Sequence, residues 1–401
     1  MAIDVVQLRA DTPGCELVRH FNNAGGSLPP RPVLDAVISH LQREALQGPV
    51  EAGNAVGAAL DDTYIAAAEM LNCRPEEIAI AESGSRAWST AFSHFALGNG
   101  MFRAGDRILT SASEWAGNYI ALLDAARAAG ATVELIPTGP DGTPSIDALR
   151  EMVDERVRLI ALTHVAANGG MVNPAAEVGA IARSAGIPFL LDAAQSVGQM
   201  KVDVEAIGCD MLTAPGRKFL RAPRGTGLIY IRQSLLEKMR PVLLDNSSGA
   251  LSDDGRIVFV RDARMLETNE NARALRLGLG AAIRYALALD LDAIETRITE
   301  LAAYLRRQLA GIDRVLLRDQ GLRQSGIVSF TLDGLPAVDV RDRLFARQIN
   351  ISVGGAAYTP LDMKARGLSE ILRASVHVYN TEREIDELCM ALSGIAQRPG
   401  H

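Results

Sequence analysis

Short, largely apolar β-rich runs alternate along most of this chain with longer stretches whose apolar positions recur every three to four residues. The short runs fall at 78–81, 107–110, 132–136, 159–163, 189–192, 211–213 and 227–231. Helical spacing occupies 58–71, 84–97, 117–129 and 174–185. Before them, Val33, Ala36, Val37, Leu41 and Ala45 keep the same near-3.6 period. A strand that is apolar throughout has no solvent face, so both sides of its sheet must be covered. Strands of that kind, interleaved with helices, predict an α/β fold with a mainly parallel seven-stranded sheet.

The texture changes after about residue 265. An Ala/Leu/Arg-rich helical region runs over 269–312, followed by apolar runs at 327–332, 349–353 and 372–378 with a helix over 337–347. This reads as βαβ-like material in a small C-terminal α+β domain. Thr381 with Glu384 three residues on marks the start of a last helix by a capping box. Residues 1–30 read as irregular, with a turn-rich segment at 21–30. The expected organisation is therefore an N-terminal segment (1–30) joined to one of two domains, a large α/β domain (31–265), and a linking helix with the small domain (266–401); the family resemblance given below implies that the segment 1–30 contributes to the active site.

Composition narrows the class. Of 401 residues, 48% are hydrophobic and 22% charged, which excludes global disorder. The net charge of −7 argues against nucleic acid as a partner. No run approaches the roughly 18 apolar residues of a membrane span. The N-terminus lacks a basic segment ahead of an apolar core, so a cytoplasmic location is expected. Cys15, Cys73, Cys209 and Cys389 are far apart and form no CxxC pair. They read as small buried hydrophobes, not as a zinc site or disulfide framework, and no metal site is expected.

Ligands in open α/β sheets collect at the carboxyl ends of the strands, and four places there carry chemistry. Glu82-Ser83-Gly84-Ser85-Arg86 follows a strand and opens a helix. It is either a phosphate seat on free N–H groups or an ordinary N-cap at Ser83. Asp192 closes an apolar strand. It either pairs with a cationic ring nitrogen, because a buried carboxylate needs a partner, or caps the next helix at the solvent edge. Lys218 lies beside Arg217 in a Gly/Pro-rich loop. A neighbouring cation and desolvation would lower its pKa and free its amine for a Schiff base; the plain alternative is a solvated basic loop. Arg373 sits inside an apolar strand and needs an anion, either a substrate carboxylate or an internal ion pair. A phosphate seat, an acid for a ring nitrogen, a lysine for an aldehyde and an arginine for a carboxylate are together what a pyridoxal 5′-phosphate (PLP) enzyme of amino acids requires.

On these residues the chain resembles the class V aminotransferases, fold-type I PLP enzymes that include cysteine desulfurases, kynureninase and isopenicillin N epimerase. The matching stretches are 21–25, 163–165, 191–198, 216–218, 225–227 and 373–381. The resemblance implies Lys218 as the Schiff-base lysine and α-proton shuttle, and Asp192 as the partner of the pyridinium proton. It implies Gln195 on the ring oxygen, with Gly84, Ser85 and Arg86 around the phosphate and Arg217 near it. Thr268 resembles a residue that reaches the phosphate from a partner subunit, so a homodimer with a shared active site is implied. Arg373 would bind the substrate α-carboxylate with help from backbone at Ala24 and Gly25. Many relatives stack a histidine on the ring; Trp115 takes that place here, with Tyr119 in reserve.

Departures shape the expected reaction. Desulfurases carry a nucleophilic cysteine ahead of the arginine-bearing strand, whereas residues 353–360 contain no thiol. The expectation is therefore that the chain is not a cysteine desulfurase. The run through Gly216-Arg217-Lys218 to Gly227 resembles C–S lyases and tailoring enzymes of S-conjugated cysteine, so β-elimination on an S-substituted cysteine is expected. An aminotransferase, an epimerase and a decarboxylation-linked oxidative deaminase are alternatives on the same scaffold, and a non-catalytic PLP-binding protein is a further one. Asn168, displaced by Ala166-Ala167 from its usual place, has no secure ring contact.

Overall fold

The computed structural model describes residues 3–98 and 102–397. The extreme ends of the expected first and last segments, 1–2 and 398–401, lie outside them. The seven apolar runs become strands β1 (Ile78–Ala81), β2 (Arg107–Thr110), β3 (Thr132–Leu135), β4 (Val157–Thr163), β5 (Phe189–Asp192), β6 (Met211–Pro215) and β7 (Gly227–Ile231). They form one sheet in the order β1-β7-β6-β5-β4-β2-β3. All neighbours are parallel except β7, which runs antiparallel to β1 and β6. Alternate residues feed two apolar layers. Ile80, Leu162, Leu191, Leu212 and Tyr230 pack on one face; Ala79, Ala161, Leu190, Met211 and Ile229 pack on the other. This period of two is why these runs are apolar throughout. Only β3, at the edge, is half-exposed along its length.

Helices α1 (Arg31–Gln47), α2 (Gly57–Leu71), α3 (Gly84–Gly98), α4 (Ala116–Ala129) and α5 (Ala175–Ala185) account for the helical stretches. The carboxyl ends of β1, β4, β5 and β6 point to one edge, because the antiparallel strand β7 separates two strands of the same direction. Gly198 shows how tightly that edge is built. Its φ is +91°, and a Cβ there would meet the Phe219 carbonyl carbon and the Leu220 nitrogen at 2.4 Å. Glycine is therefore required where the turn after β5 meets the loop carrying Lys218.

The expected helical region over 269–312 is two helices, α6 (Arg273–Leu289) and α7 (Leu291–Ala310). They are separated at Asp290, whose φ is +70° and whose side chain accepts from the Asp292 N–H. The βαβ-like reading beyond them is corrected. Strands β8 (Val315–Leu317), β9 (Ile327–Leu332), β10 (Ser352–Gly355) and β11 (Glu370–Ser375) form a sheet ordered β8-β9-β11-β10 with every pair antiparallel. The expected strand over 349–353 is split: 349–350 pairs in parallel with Arg19–His20, and only β10 joins the sheet. That cross-pairing redirects the chain, so the helix over Ala337–Phe345 does not serve as a parallel crossover. The last helix, α8 (Glu382–Ala396), begins in the Thr381–Glu384 capping box.

Residues 1–30 are more ordered than expected. A helix over Val5–Ala10 is capped by Asp4. Beyond it, Asn23 Nδ2 donates to the Ser375 carbonyl at 2.6 Å and the Ala24 N–H donates to Ser375 Oγ at 2.8 Å. These contacts lay the turn at 22–25 against the end of β11, two residues from Arg373. A hairpin over 249–251 and 257–259 was not legible, because its exposed positions carry no clear alternation. Among the described residues, no helix is long and apolar enough to cross a membrane.

Candidate active site

A cavity of about 570 Å³ opens at the shared carboxyl edge of the large sheet. Lys218 and Arg217 enter it from the loop after β6, Asp192 from the tip of β5, and Gly84 and Ser85 from the start of α3. Trp115 lies just before α4, Ala24 and Gly25 come from the N-terminal turn, and Arg373 reaches in from β11. Gln195 also lines the cavity. Of the residues singled out from sequence, Arg86, Thr268, Tyr119 and Asn168 are not among those lining it. Arg86 is exposed on α3, with only its backbone N–H bound to Ser83 Oγ. Thr268 lines a separate groove with Tyr64 and Arg264 and donates to the Glu270 carbonyl at 3.0 Å. Thr268 Oγ1 also lies 3.5 Å from Oε1 of Glu82, a residue that lines the cavity, so it stands beside the cavity without entering it.

Asp192 is 7% exposed, so the solvent-edge reading does not hold. Its Oδ1 accepts the Ala194 N–H at 2.8 Å and its Oδ2 accepts Asn118 Nδ2 at 2.7 Å. Lys218 is not in a solvated loop. Its Nζ stands 5.9 Å from the centroid of the Trp115 ring. Burial brings its pKa down to about 7; Asp192 opposes the shift, and Arg217 and Arg373 add to it. A half-neutral amine at neutral pH can attack an aldehyde. In protein stripped of cofactor, reductive methylation of Lys218, followed by peptide mass spectrometry, is therefore expected to rise with a midpoint near pH 7, well below the ordinary lysine range.

Arg373 has no ion-pair partner among the described residues. Its Nε donates to Ser352 Oγ at 3.1 Å and its NH1 to the Ala167 carbonyl at 2.7 Å. Its guanidinium carbon lies 5.8 Å from the Tyr358 ring, and burial lowers its pKa to about 10. A buried guanidinium held only by neutral oxygens is poised for an anion. Arg217 donates to the Gly25 carbonyl at 2.5 Å, so it faces the N-terminal turn. Gln195 Nε2 donates to the Ala24 carbonyl at 3.1 Å while its Oε1 is buried without a partner. Trp115 is half-buried, not a core residue, and stacks on Tyr358 with centroids 5.1 Å apart. Tyr119 does not line the cavity, and Asn168 turns away, donating to the Gly355 carbonyl and Thr359 Oγ1.

Sequence reasoning passed over Tyr358, Arg224, Asn118 and Glu114. Tyr358 and Arg224 are loop residues whose direction no periodicity reveals. Asn118 and Glu114 had a signal, a pair of polar residues four apart at a helix start, but Trp115 between them drew the assignment. The four cysteines lie away from the cavity lining. Cys15, Cys209 and Cys389 are buried, while Cys73 is half-buried, short of the full burial expected. Burial pushes the thiols of Cys15 up to about 11 and of Cys73 and Cys389 up to about 12, and raises that of Cys209 also.

A lysine, a buried acid, a helix N-terminus and an arginine without an ion-pair partner among the described residues thus surround one cavity. The aminotransferase class-V family model matches residues 19–388, and the chain belongs to that family. A probable cysteine desulfurase of Xylella fastidiosa (strain 9a5c) is 31% identical over 377 residues, which cover 93% of this chain and 89% of the relative. An apo cysteine desulfurase from Thermococcus onnurineus NA1 superposes with a TM-score of 0.90 at 25% identity, covering 99% of both chains. A C-DES variant with glycine covalently linked to its PLP cofactor has the same fold, with a TM-score of 0.85, 23% identity, and coverage of 96% of this chain and 98% of that one. Membership of that family makes the cofactor pyridoxal 5′-phosphate.

These findings correct two expectations. The lyase of S-substituted cysteines gives way to similarity with cysteine desulfurases, and the exclusion of desulfurases is withdrawn. Both rested on a few loop positions. The similarity to desulfurases runs through 93% of the chain.

The residues present fit the cofactor. The unpartnered Gln195 Oε1, the helix N-terminus at Gly84, the acid at Asp192 and the amine of Lys218 are the donor and acceptor types that PLP needs.

Proposed function

We propose that this chain is a PLP enzyme whose substrate is cysteine. The observation that carries this reading is the convergence of Lys218, Asp192 and the unpaired Arg373 on one cavity; the choice of cysteine is supported by the relatives that are named desulfurases. Bound there, the cofactor supplies an electron-accepting ring to the substrate's α-carbon. Lys218 would hold the cofactor aldehyde, and its amine would move the proton at the substrate's α-carbon. Asp192 keeps the ring nitrogen protonated, and Gln195 bonds the ring oxygen. Gly84 and Ser85 seat the phosphate, Trp115 covers the ring, and Arg373 with the Ala24–Gly25 turn orients the substrate carboxylate. We assign Arg217 to the substrate side, on its contact with Gly25. Thr268, outside the cavity, is assigned to the phosphate of a partner subunit in a homodimer.

No cysteine of the chain lines the cavity, so the sulfur acceptor in the test is supplied in solution. A dithiol provides the two electrons that convert cysteine to alanine and sulfide. With holoenzyme, cysteine and dithiothreitol, alanine and sulfide should appear in equal amounts. Arg373→Ala should raise KM for cysteine about 10- to 100-fold, the worth of one charge-assisted contact. Cysteine left unconsumed overturns the reading, and pyruvate in place of alanine overturns desulfuration.

A further inference from the structure

Behind the cavity wall stands a second acid, Glu114, only 1% exposed. Burying an acid costs several kcal/mol; burial and then the nearby Asp192 charge push the Glu114 pKa up, and its hydrogen bonds pull against that shift. Oε1 accepts Asn118 Nδ2 at 2.8 Å, Thr163 Oγ1 at 2.7 Å and the Trp115 N–H at 3.1 Å. Oε2 accepts Thr110 Oγ1 at 3.1 Å. Asn118, itself 5% exposed, spends its same amide group on Asp192 Oδ2 at 2.7 Å. One amide thus ties two carboxylates together, and the same Glu114 oxygen fixes the backbone of the residue beside it. The elements joined are β2, β4, β5 and the start of α4. No apolar residue could make these four contacts, and none of them is needed to fill a core.

We propose that Glu114 is a positioning residue for the cofactor. It acts through Asn118 on the acid behind the ring nitrogen and through the backbone on the Trp115 ring. Asp192 and Trp115 are then both referenced to Glu114, a form of preorganisation in which the supporting group would not touch the ligand. This inference rests on the PLP reading of the cavity.

The test uses holoenzyme and reads visible circular dichroism per mole of bound cofactor, which reports how asymmetrically the ring is held. Glu114→Ala and Asn118→Ala should lose most of that signal and weaken cofactor binding about tenfold, as one lost charge-assisted hydrogen bond would. Glu114→Gln keeps an oxygen for the same three donors and should recover most of the loss. Wild-type dichroism in both alanine variants overturns the proposal, as does a glutamine variant as damaged as the alanine one. Should Glu114→Ala fail to fold, wild-type dichroism in Asn118→Ala overturns it alone. A wild-type protein that takes up no PLP would instead overturn the reading of the cavity.

Discussion

Lys218→Ala, reconstituted with PLP and passed through a desalting column, should show none of the visible absorbance of a lysine-bound cofactor. Turnover of cysteine should fall by at least about 10³-fold. Proton transfer by a positioned side chain is worth roughly 10²- to 10⁴-fold by itself, and the variant also loses the amine that holds the aldehyde. The fold should survive, because what the substitution removes is a cation buried against its own preference, with its pKa already down to about 7. An unchanged thermal midpoint with no visible band is the expected pair of results. A band that persists would move the Schiff base to another lysine and dissolve the site around Asp192.

Asp192→Asn should leave the visible band in place and slow turnover of cysteine about 10²- to 10³-fold, the scale for removing one preorganised charge from a reacting centre. The substitution keeps the side chain's size and its room beside Asn118 and Ala194. It removes the negative charge and one of the two acceptor oxygens, so either the Ala194 or the Asn118 contact is lost with it. A second reading follows from the sign of the coupling to Lys218. The Asp192 charge raises the lysine pKa against burial. Without it the amine loses its proton more easily, so the methylation midpoint of Lys218 in this variant should fall below the wild-type value near 7. A midpoint that stays or rises would show that the two groups do not share a field. Turnover at the wild-type rate would remove Asp192 from the ring nitrogen.

The large sheet was legible because burial on both faces imposes a pattern that survives in any reading frame. The strand runs at 78–81, 107–110, 189–192 and 227–231 agree with β1, β2, β5 and β7 to the residue. The smaller sheet was not. Its strands are separated by a helix as in a parallel crossover, yet every pair is antiparallel. A helix between two strands constrains length, not direction, and the Arg19–His20 pairing with 349–350 lies more than 300 positions away in the chain. Asp290 likewise hid the break between α6 and α7, since an aspartate at positive φ carries no sign of it within an apolar periodicity. In the site, residues whose chemistry is costly to bury announced themselves: Asp192 ends an apolar run, Arg373 interrupts one, and Lys218 follows one in a Gly/Pro-rich loop. Tyr358 did not, because a tyrosine in a loop is unremarkable until its ring stacks on Trp115.

From its sequence alone, this protein has an α/β sheet, a strand-tip acid, a loop lysine and a strand-borne arginine, because each leaves a local mark in the order of apolar and charged residues. Whether the arginine was paired, whether the lysine met solvent, and which acid stood behind Asp192 depended on segments far apart in the chain. The field at one amine sums over every charge and every displaced water around it. Those neighbours exist only once β5, β6, β11 and the N-terminal turn have closed on the same space.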